Sequence, residues 1–245
     1  MKDVRTERAS SDDAIANWSA SVYRSLLQME RQATGMGNEP VEWTQKELDQ
    51  VFQKNIHRLF DEEDWKGAIQ ALRRRLRYEP RNHWVLTRLC TAYYEQRNYR
   101  RALHWSNKAM TLAPNCPLVL WDNAGCLDML GRDDEAIRIY RRLLRRGIRR
   151  IANDQCGEGL PWARSLRNDC RYCVALCLRD MGDLRGARRW FESYLRRRGR
   201  GTRSIYTVAE VRQKHRKVLA DLAKESRPTT RSGSRSRKDS SKTSR

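Results

Sequence analysis

The feature that most constrains this chain is an alanine that returns at a step of 34 residues, at Ala68, Ala102 and Ala136. A fourth instance, Ala187, comes 51 residues after the third, which equals one step of 34 plus an insertion of 17. Self-similarity at a fixed period of about 20–50 residues is typical of repeat proteins, in which each unit buries its apolar face against the next. The sequence therefore predicts four copies of one structural unit.

The residues around each alanine predict that this unit is a pair of α-helices. Apolar residues recur at steps of three and four in every segment, which is the periodicity of a helix with one buried face. Alanine allows two helices to approach closely where they cross. Gly131 and Gly182 stand where a first helix must stop, and Pro80 and Pro114 stand where a second helix must stop. We therefore expect an all-α protein of antiparallel helical hairpins, with essentially no sheet.

This pattern resembles the tetratricopeptide repeat (TPR), a helical hairpin of about 34 residues with aromatic, leucine and small residues at fixed positions. In the second repeat, the first helix is matched by Leu86, Leu89, Cys90 and Tyr93, and the second helix by Ala102. The resemblance covers four repeats, at about 49–82, 83–116, 117–150 and 168–201. It implies a right-handed superhelical array of antiparallel helical hairpins, a TPR-like α-solenoid, with a C-terminal capping helix.

The segments outside the repeats differ from them in composition. Thr44 and Glu47 form a capping-box pattern before the first repeat, and Thr207 and Glu210 form a second one before the capping helix. The last twenty residues are mostly Ser, Thr, Arg and Lys, which predicts disorder. The expected boundaries are a flexible N-terminus at 1–11, an amphipathic helix at 12–34, a linker at 35–43, the repeat array at 44–203 with an insertion at 151–167, the capping helix at 204–225 and a disordered basic tail at 226–245.

The charge of the chain favours acidic partners. The formal net charge is +21, and such an excess attracts nucleic acid, acidic protein segments or anionic membrane. Two clusters of arginine are candidate phosphate contacts to RNA or DNA: Arg145, Arg146, Arg149, Arg150, Arg196, Arg197, Arg198, Arg200 and Arg203. The alternative interpretation is a solvated basic face, since arginine stems also cover apolar surface while their heads stay in water.

The seven cysteines bear on compartment and cofactor. Their number is odd and they are scattered, which favours reduced thiols in the cytoplasm over a disulfide framework. Cys170, Cys173 and Cys177 form C-x2-C-x3-C, a spacing that suits a zinc or iron–sulfur site. These cysteines fall inside a predicted helix, however, and only Cys156 is a ready fourth ligand. Packing on one helix face is the favoured interpretation, and we expect no metal and no cofactor.

The sequence contains no pattern that predicts catalysis. Its four histidines are dispersed, and it has no G-x-S-x-G, P-loop or G-x-G-x-x-G motif. It has no secretory signal, and no apolar run reaches the roughly 18 residues that a membrane span needs. We expect a non-catalytic cytoplasmic scaffold or adaptor that binds another protein. The alternative is a nucleic-acid-associated, RNA-binding protein that uses the arginine clusters and the basic tail.

The TPR resemblance also implies where a protein partner binds. In TPR arrays the first helices line a concave groove that holds a peptide or a helix. The lining positions and the arginines beside them are Trp84, Thr87, Arg88, Thr91, Tyr94, Trp121, Met129, Tyr172 and Arg179. Aromatic and arginine side chains are common at binding hot spots. The resemblance therefore implies an extended or helical ligand segment that is apolar and carries acidic residues.

Overall fold

The structure is a computed structural model that describes residues 44–226. This part of the chain contains ten α-helices and no strand: α1 (Gln45–Asp61), α2 (Trp65–Tyr78), α3 (His83–Glu95), α4 (Tyr99–Leu112), α5 (Pro117–Met129), α6 (Asp133–Arg145), α7 (Ile148–Ala152), α8 (Gly159–Asp180), α9 (Leu184–Arg198) and α10 (Val208–Glu225). None of these ten helices is both long and apolar enough to cross a membrane. The predicted N-terminus at 1–11, helix at 12–34, linker at 35–43 and tail after residue 226 lie outside the described residues.

Eight of the helices form four hairpins, α1–α2, α3–α4, α5–α6 and α8–α9. The four repeat alanines lie in the second helices of these hairpins, and each of them is 0% exposed: Ala68, Ala102, Ala136 and Ala187. Because protein interiors are close-packed, a larger side chain at these buried positions would displace its neighbours. The predicted all-α, TPR-like fold is confirmed.

The described part of the chain divides into two compact units, the first up to residue 163 and the second from residue 164. In the first unit each helix from α1 to α6 packs on the next, and the first helices α3 and α5 also pack on each other. Leu86, Ala109 and Val119 lie in the core between these helices. The buried Ser106 hydroxyl accepts a hydrogen bond from the Asn123 side chain at 3.0 Å. A polar contact thus joins α4 to α5 inside the core of the first unit.

Of the two predicted capping boxes, the first forms both of its hydrogen bonds and the second forms only one. At the start of α1 the box is complete, because the Glu47 amide donates to Thr44 Oγ1 at 3.3 Å and the Thr44 amide donates to the Glu47 carboxylate at 2.8 Å. At the start of α10 the Glu210 amide donates to Thr207 Oγ1 at 3.2 Å. The Glu210 carboxylate, however, accepts a hydrogen bond from the Tyr172 hydroxyl at 2.7 Å. The second box is therefore only half formed, because a tertiary contact takes the carboxylate.

The insertion after the third hairpin begins with a break in the helix. Arg146 and Gly147 are extended, with ψ of 139° and 137°, so the apolar stripe of α6 does not continue as one helix into α7. The Arg146 guanidinium hydrogen-bonds the Asn115 carbonyl oxygen and pairs with the Asp154 carboxylate at 3.1 Å. These contacts hold the insertion against the turn that precedes α5.

The second unit contains the rest of the fourth hairpin and α10. Tyr172 of α8 packs on Phe191 of α9, with ring centroids 6.0 Å apart, and on Tyr206, at 4.1 Å. Helix α10 packs on α9 and buries Val211 and Val218 completely. It thus acts as a terminal helix over this hairpin.

Candidate functional site

A basic groove lies in the first unit between the two second helices α2 and α4. Its volume is about 1100 Å³, and α3 contributes Leu86 and Tyr93 to its floor. Apolar side chains from α2 and α4 complete the floor, including Leu76, Trp105 and Leu112. Six cationic side chains line it: Lys66, Arg73, Arg74, Arg77, Arg101 and Lys108. Among the described residues that line this basic groove, none is acidic.

Three of the six cations of the basic groove lie near the aromatic rings of its floor. The guanidinium carbons of Arg73 and Arg101 lie 6.0 Å and 5.9 Å from the centre of the Tyr93 ring. The Lys108 ammonium lies 4.8 Å from the centre of the Trp105 ring. Cation–π contacts of this kind orient long side chains that otherwise sample many rotamers. The groove therefore places several positive charges above an apolar floor, an arrangement that favours an anionic ligand.

The predicted groove residues of α3 lie close together, and the hydroxyl groups of Thr87 and Thr91 already have hydrogen-bond partners within the helix. Trp84 is half-buried, and its ring meets Phe52 edge-on at 6.3 Å while the Arg88 guanidinium carbon lies 5.4 Å from its centre. The buried Thr87 hydroxyl donates to the Trp84 carbonyl at 2.7 Å, and the Thr91 hydroxyl donates to the Thr87 carbonyl at 3.0 Å. Thr87 is 0% exposed, so its predicted role as a lining residue is wrong.

The buried carboxyl group of Asp122 interacts with the charge of Arg88, one of the predicted groove residues. Asp122 of α5 has one carboxylate oxygen, Oδ2, without a hydrogen-bond partner among the described residues. Burial raises the pKa of Asp122 to about 7, although the positive charge of Arg88 lowers it and Cys116 raises it further. The charge on Arg88 is thus partly directed at a carboxyl of its own fold rather than wholly available to a ligand.

The predicted groove residues of α5 and the end of α3 are more accessible. Trp121 is half-buried, with its ring 5.7 Å from that of Tyr140, and Met129 is 47% exposed. Tyr94 packs on Tyr99 with ring centroids 5.2 Å apart. Trp84, Tyr94 and Trp121 remain candidates for contact with a ligand.

Of the two predicted groove residues of the second unit, Tyr172 is buried and Arg179 is half-buried. Tyr172 is 0% exposed, because Tyr206 stacks on its ring and its hydroxyl is bonded to Glu210. Burial and the Glu210 carboxylate raise the pKa of Tyr172. The Arg179 guanidinium donates two hydrogen bonds to the adjacent Asp180 carboxylate, at 2.7 Å and 2.9 Å. The prediction for Tyr172 is wrong, since repeat positions alone do not reveal that α10 and its preceding loop cover this ring.

The predicted nucleic-acid contacts divide into structural and exposed arginines. Arg146 is half-buried in the contacts of the insertion, and Arg198 is half-buried with its guanidinium bonded to the Thr202 carbonyl at 2.7 Å. The exposed members are Arg145, Arg149 and Arg150 in the first unit and Arg196, Arg197, Arg200 and Arg203 in the second. Arg146 and Arg198 thus stabilise the fold, and the exposed arginines stay candidate contacts.

The C-x2-C-x3-C cysteines behave as core residues. Cys170 and Cys177 are 0% exposed and Cys173 is 3% exposed. Their sulfur atoms do not form a group of metal-ligand dimensions with one another within residues 44–226. These three cysteines are buried on one face of α8, which agrees with the packing role that the sequence favours for them.

Sequence reasoning missed the basic groove, although a signal for it exists. Arg74 and Lys108 stand 34 residues apart, so they occupy the same position in successive repeats, and both line the groove. A 34-residue step places equivalent residues of neighbouring second helices side by side. Repeated cations on second helices therefore predict a basic surface there, whereas the TPR resemblance implies a binding surface on first helices only.

Comparison with known proteins finds similarity at the level of structure only. No protein-family model matches this chain, and no curated protein matches it. Two MamA structures are similar to it: one with 18% identity, covering 72% of this chain and 92% of MamA, at a TM-score of 0.46, and one from Desulfovibrio magneticus RS-1 with 14% identity, covering 71% and 91%, at 0.47. A tetratricopeptide repeat protein from Parabacteroides merdae has 18% identity, with coverage of 71% and 75% and a TM-score of 0.40.

Proposed function

We propose that this TPR-like chain is a non-catalytic protein-interaction scaffold, and that its basic groove binds an acidic, amphipathic segment of a partner protein. The observation that carries the proposal is the composition of the groove, which combines six cationic side chains with an apolar floor and has no acidic residue among its described lining. A ligand that complements it must offer apolar side chains on one face and carboxylates beside them.

The size of the basic groove supports a protein segment as the ligand. Its volume of about 1100 Å³ exceeds that of most small-molecule pockets, which measure about 300–1000 Å³. An α-helix with its side chains is about 10–12 Å across, and amphipathic helices commonly lay their apolar face in a groove between two helices of the receptor. We therefore expect a helical or extended segment with apolar residues at helical spacing and Asp or Glu flanking them.

The aromatic rings of the groove favour a protein over a nucleic acid. Single-stranded nucleic acids gain much of their affinity by stacking bases on accessible aromatic faces. Here Tyr93 is only 3% exposed and has two guanidinium groups near its ring, and the Trp105 ring has the Lys108 ammonium over it. These rings are thus engaged with cations of the protein itself.

The half-buried residues Trp84, Arg88 and Trp121 on the first helices form a second candidate surface for the same kind of ligand. All seven cysteines are free of disulfide bonds, which supports placing the protein in a reducing compartment such as the cytoplasm.

Selection from a random peptide library on the full-length protein tests the proposed function. We expect the enriched peptides to carry apolar residues at helical spacing beside acidic ones. The Trp105→Ala variant should fail to bind most of these peptides. Arg100→Ala is the matched control, since Arg100 is an exposed residue of the same helix that does not line the groove. Enrichment of peptides without acidic residues, or equal recovery on Trp105→Ala, contradicts the proposal.

The RNA-binding alternative is tested with the same protein. Random-sequence RNA that binds with a steep salt dependence, and that competes with the selected peptides, favours the alternative. Loss of that RNA binding on deletion of the chain after Ser226, or on reversal of the exposed arginine charges, assigns it to the basic tail or to the arginine clusters instead of the groove.

A further inference from the structure

Three potential metal ligands from distant parts of the sequence meet in the first unit. His83 is the first residue of α3, Cys116 precedes α5, and Cys156 lies in the insertion loop, which we define as residues 153–158 between α7 and α8. Their imidazole nitrogen and sulfur atoms all lie within 4.8 Å of one another. His83 Nε2 and Cys156 Sγ are 3.2 Å apart. We infer that His83, Cys116 and Cys156 form a zinc-binding site that fastens the insertion loop to the starts of α3 and α5.

The spacing of the three atoms suits a tetrahedral zinc ion. With zinc–sulfur bonds of about 2.3 Å and zinc–nitrogen bonds of about 2.0–2.1 Å, neighbouring ligand atoms lie roughly 3.5–3.8 Å apart. The separation of 3.2 Å and the limit of 4.8 Å bracket this range. Two thiolates and one imidazole are also the soft donor set that zinc prefers over magnesium or calcium. Only small rotations of the side chains are needed to close the site.

The local fold holds each ligand in place. Asn82 caps α3 by accepting a hydrogen bond from the Val85 amide at 3.2 Å, which fixes the turn that carries His83. The Asp154 carboxylate accepts a hydrogen bond from the Cys156 amide at 3.4 Å and pairs with Arg146 at 3.1 Å. Arg146 in turn bonds the carbonyl of Asn115, the neighbour of Cys116. The insertion loop is therefore tied to the same turn that carries the second ligand.

A glycine in the insertion loop allows this close approach. A Cβ atom at Gly157 would lie 2.5 Å from the Ile151 carbonyl oxygen and 2.6 Å from the Ala152 carbonyl oxygen. Any other residue type must move the loop away from the end of α7. Gly157 thus lets the backbone next to Cys156 fold back toward the cluster.

With two thiolates and a neutral imidazole, the loaded site carries no net charge, and the fourth position is left for water.

A metal titration of the full-length protein tests the site. The protein is reduced, stripped with a chelator and titrated with Co²⁺, whose spectrum reports its ligands. We expect saturation at about one cobalt ion per chain, with the near-ultraviolet charge-transfer band of thiolate ligands, and displacement of cobalt by zinc. Zinc should also raise the Tm, because the assembled site of the folded state binds it more tightly than the unfolded chain does.

Single substitutions assign the metal to this cluster. His83→Ala, Cys116→Ser and Cys156→Ser should each abolish stoichiometric binding, whereas Cys126→Ala, which removes a buried thiol outside the cluster, should keep it. Cys156 and His83 are half-buried, so their variants should retain the helical circular dichroism signal and carry the test even where Cys116→Ser unfolds.

Three outcomes overturn the inference. The first is reduced wild-type protein that shows no thiolate–cobalt band. The second is metal binding that survives Cys156→Ser and His83→Ala. The third is a Cys116–Cys156 disulfide formed in air by protein that binds no metal when reduced, which makes the pair redox-active instead.

Discussion

Arg97 and Gly131 stand 34 residues apart and adopt the same left-handed backbone conformation, with φ of 58° and 68°. Both lie in the turn between the two helices of a hairpin, and the Arg97 amide bonds the Tyr94 carbonyl at 2.8 Å. A glycine takes this conformation at no steric cost, whereas a residue with a Cβ is strained by about 1–2 kcal/mol.

This relationship predicts that Arg97→Gly stabilises the protein. Relief of the strain should outweigh the greater freedom that glycine has in the unfolded chain, for a net gain of about 0.5–1 kcal/mol. Urea denaturation of the two proteins measures the change. Gly131→Ala is the matched control and should lower stability by a similar amount, and a loss of stability in Arg97→Gly contradicts the account.

The repeat alanines predict a severe effect of added volume. Ala102 is 0% exposed where α3 and α4 meet, so Ala102→Trp should destabilise the protein by roughly 1–3 kcal/mol. Arg100→Trp, at an exposed site two residues earlier, should have little effect. Thermal denaturation followed by circular dichroism compares them, and an equal change in both variants means that α3 and α4 do not approach closely at Ala102.

Asp169 predicts a dependence of stability on pH. Burial raises its pKa from 3.8 to about 6, against hydrogen bonds from Ser204, the Ile205 amide and Ser165. The native state holds this proton more tightly than the unfolded state does. The stabilisation that protonated Asp169 gives the folded state is therefore fully present below about pH 4 and is lost as the pH rises through about 6. The loss should be about 3 kcal/mol, since one pKa unit corresponds to about 1.4 kcal/mol.

The control for this prediction is Asp169→Asn, which cannot ionise. Denaturant unfolding at pH 4, 5, 6 and 7 should show a smaller decline with rising pH for the variant than for the wild type. Identical slopes for the two proteins mean that Asp169 ionises normally in the folded state.

The helical hairpins were predictable from the sequence because their determinants are local. Ala102 allows a close crossing, Gly131 ends a first helix, and Pro114 follows the end of a second one; each acts within a few residues of its own position. The 34-residue step then fixes which helices are neighbours.

The surfaces were less predictable because they depend on contacts between distant segments. Tyr172 holds a first-helix position of its repeat, yet Tyr206 and Glu210, more than thirty residues later, cover its ring and bind its hydroxyl. His83 and Cys116 stand at the edges of one repeat, and only the path of the insertion loop brings Cys156 to them. Neither set of contacts follows from the 34-residue period of the sequence.

The two candidate binding surfaces predict opposite results for two tryptophans. If the ligand lies in the basic groove, Trp105→Ala should weaken binding of a selected peptide by about 2 kcal/mol, and Trp121→Ala should leave it unchanged. Isothermal titration calorimetry measures both. Weaker binding by Trp121→Ala with unchanged binding by Trp105→Ala would show instead that the ligand binds the surface of the first helices.

The central claim is that an acidic protein segment binds the basic groove itself, and one comparison of charge-reversal variants tests it most directly. Arg73→Glu with Lys108→Glu, and Arg149→Glu with Arg150→Glu, change the formal net charge equally, but only the first pair alters the groove. Fluorescence anisotropy of a labelled acidic amphipathic peptide is measured on each at several salt concentrations. The account predicts at least a tenfold weaker Kd, about 1.4 kcal/mol, for the first pair and almost none of that loss for the second. Equal weakening by both pairs contradicts the account, because the peptide then responds only to the overall charge of the chain.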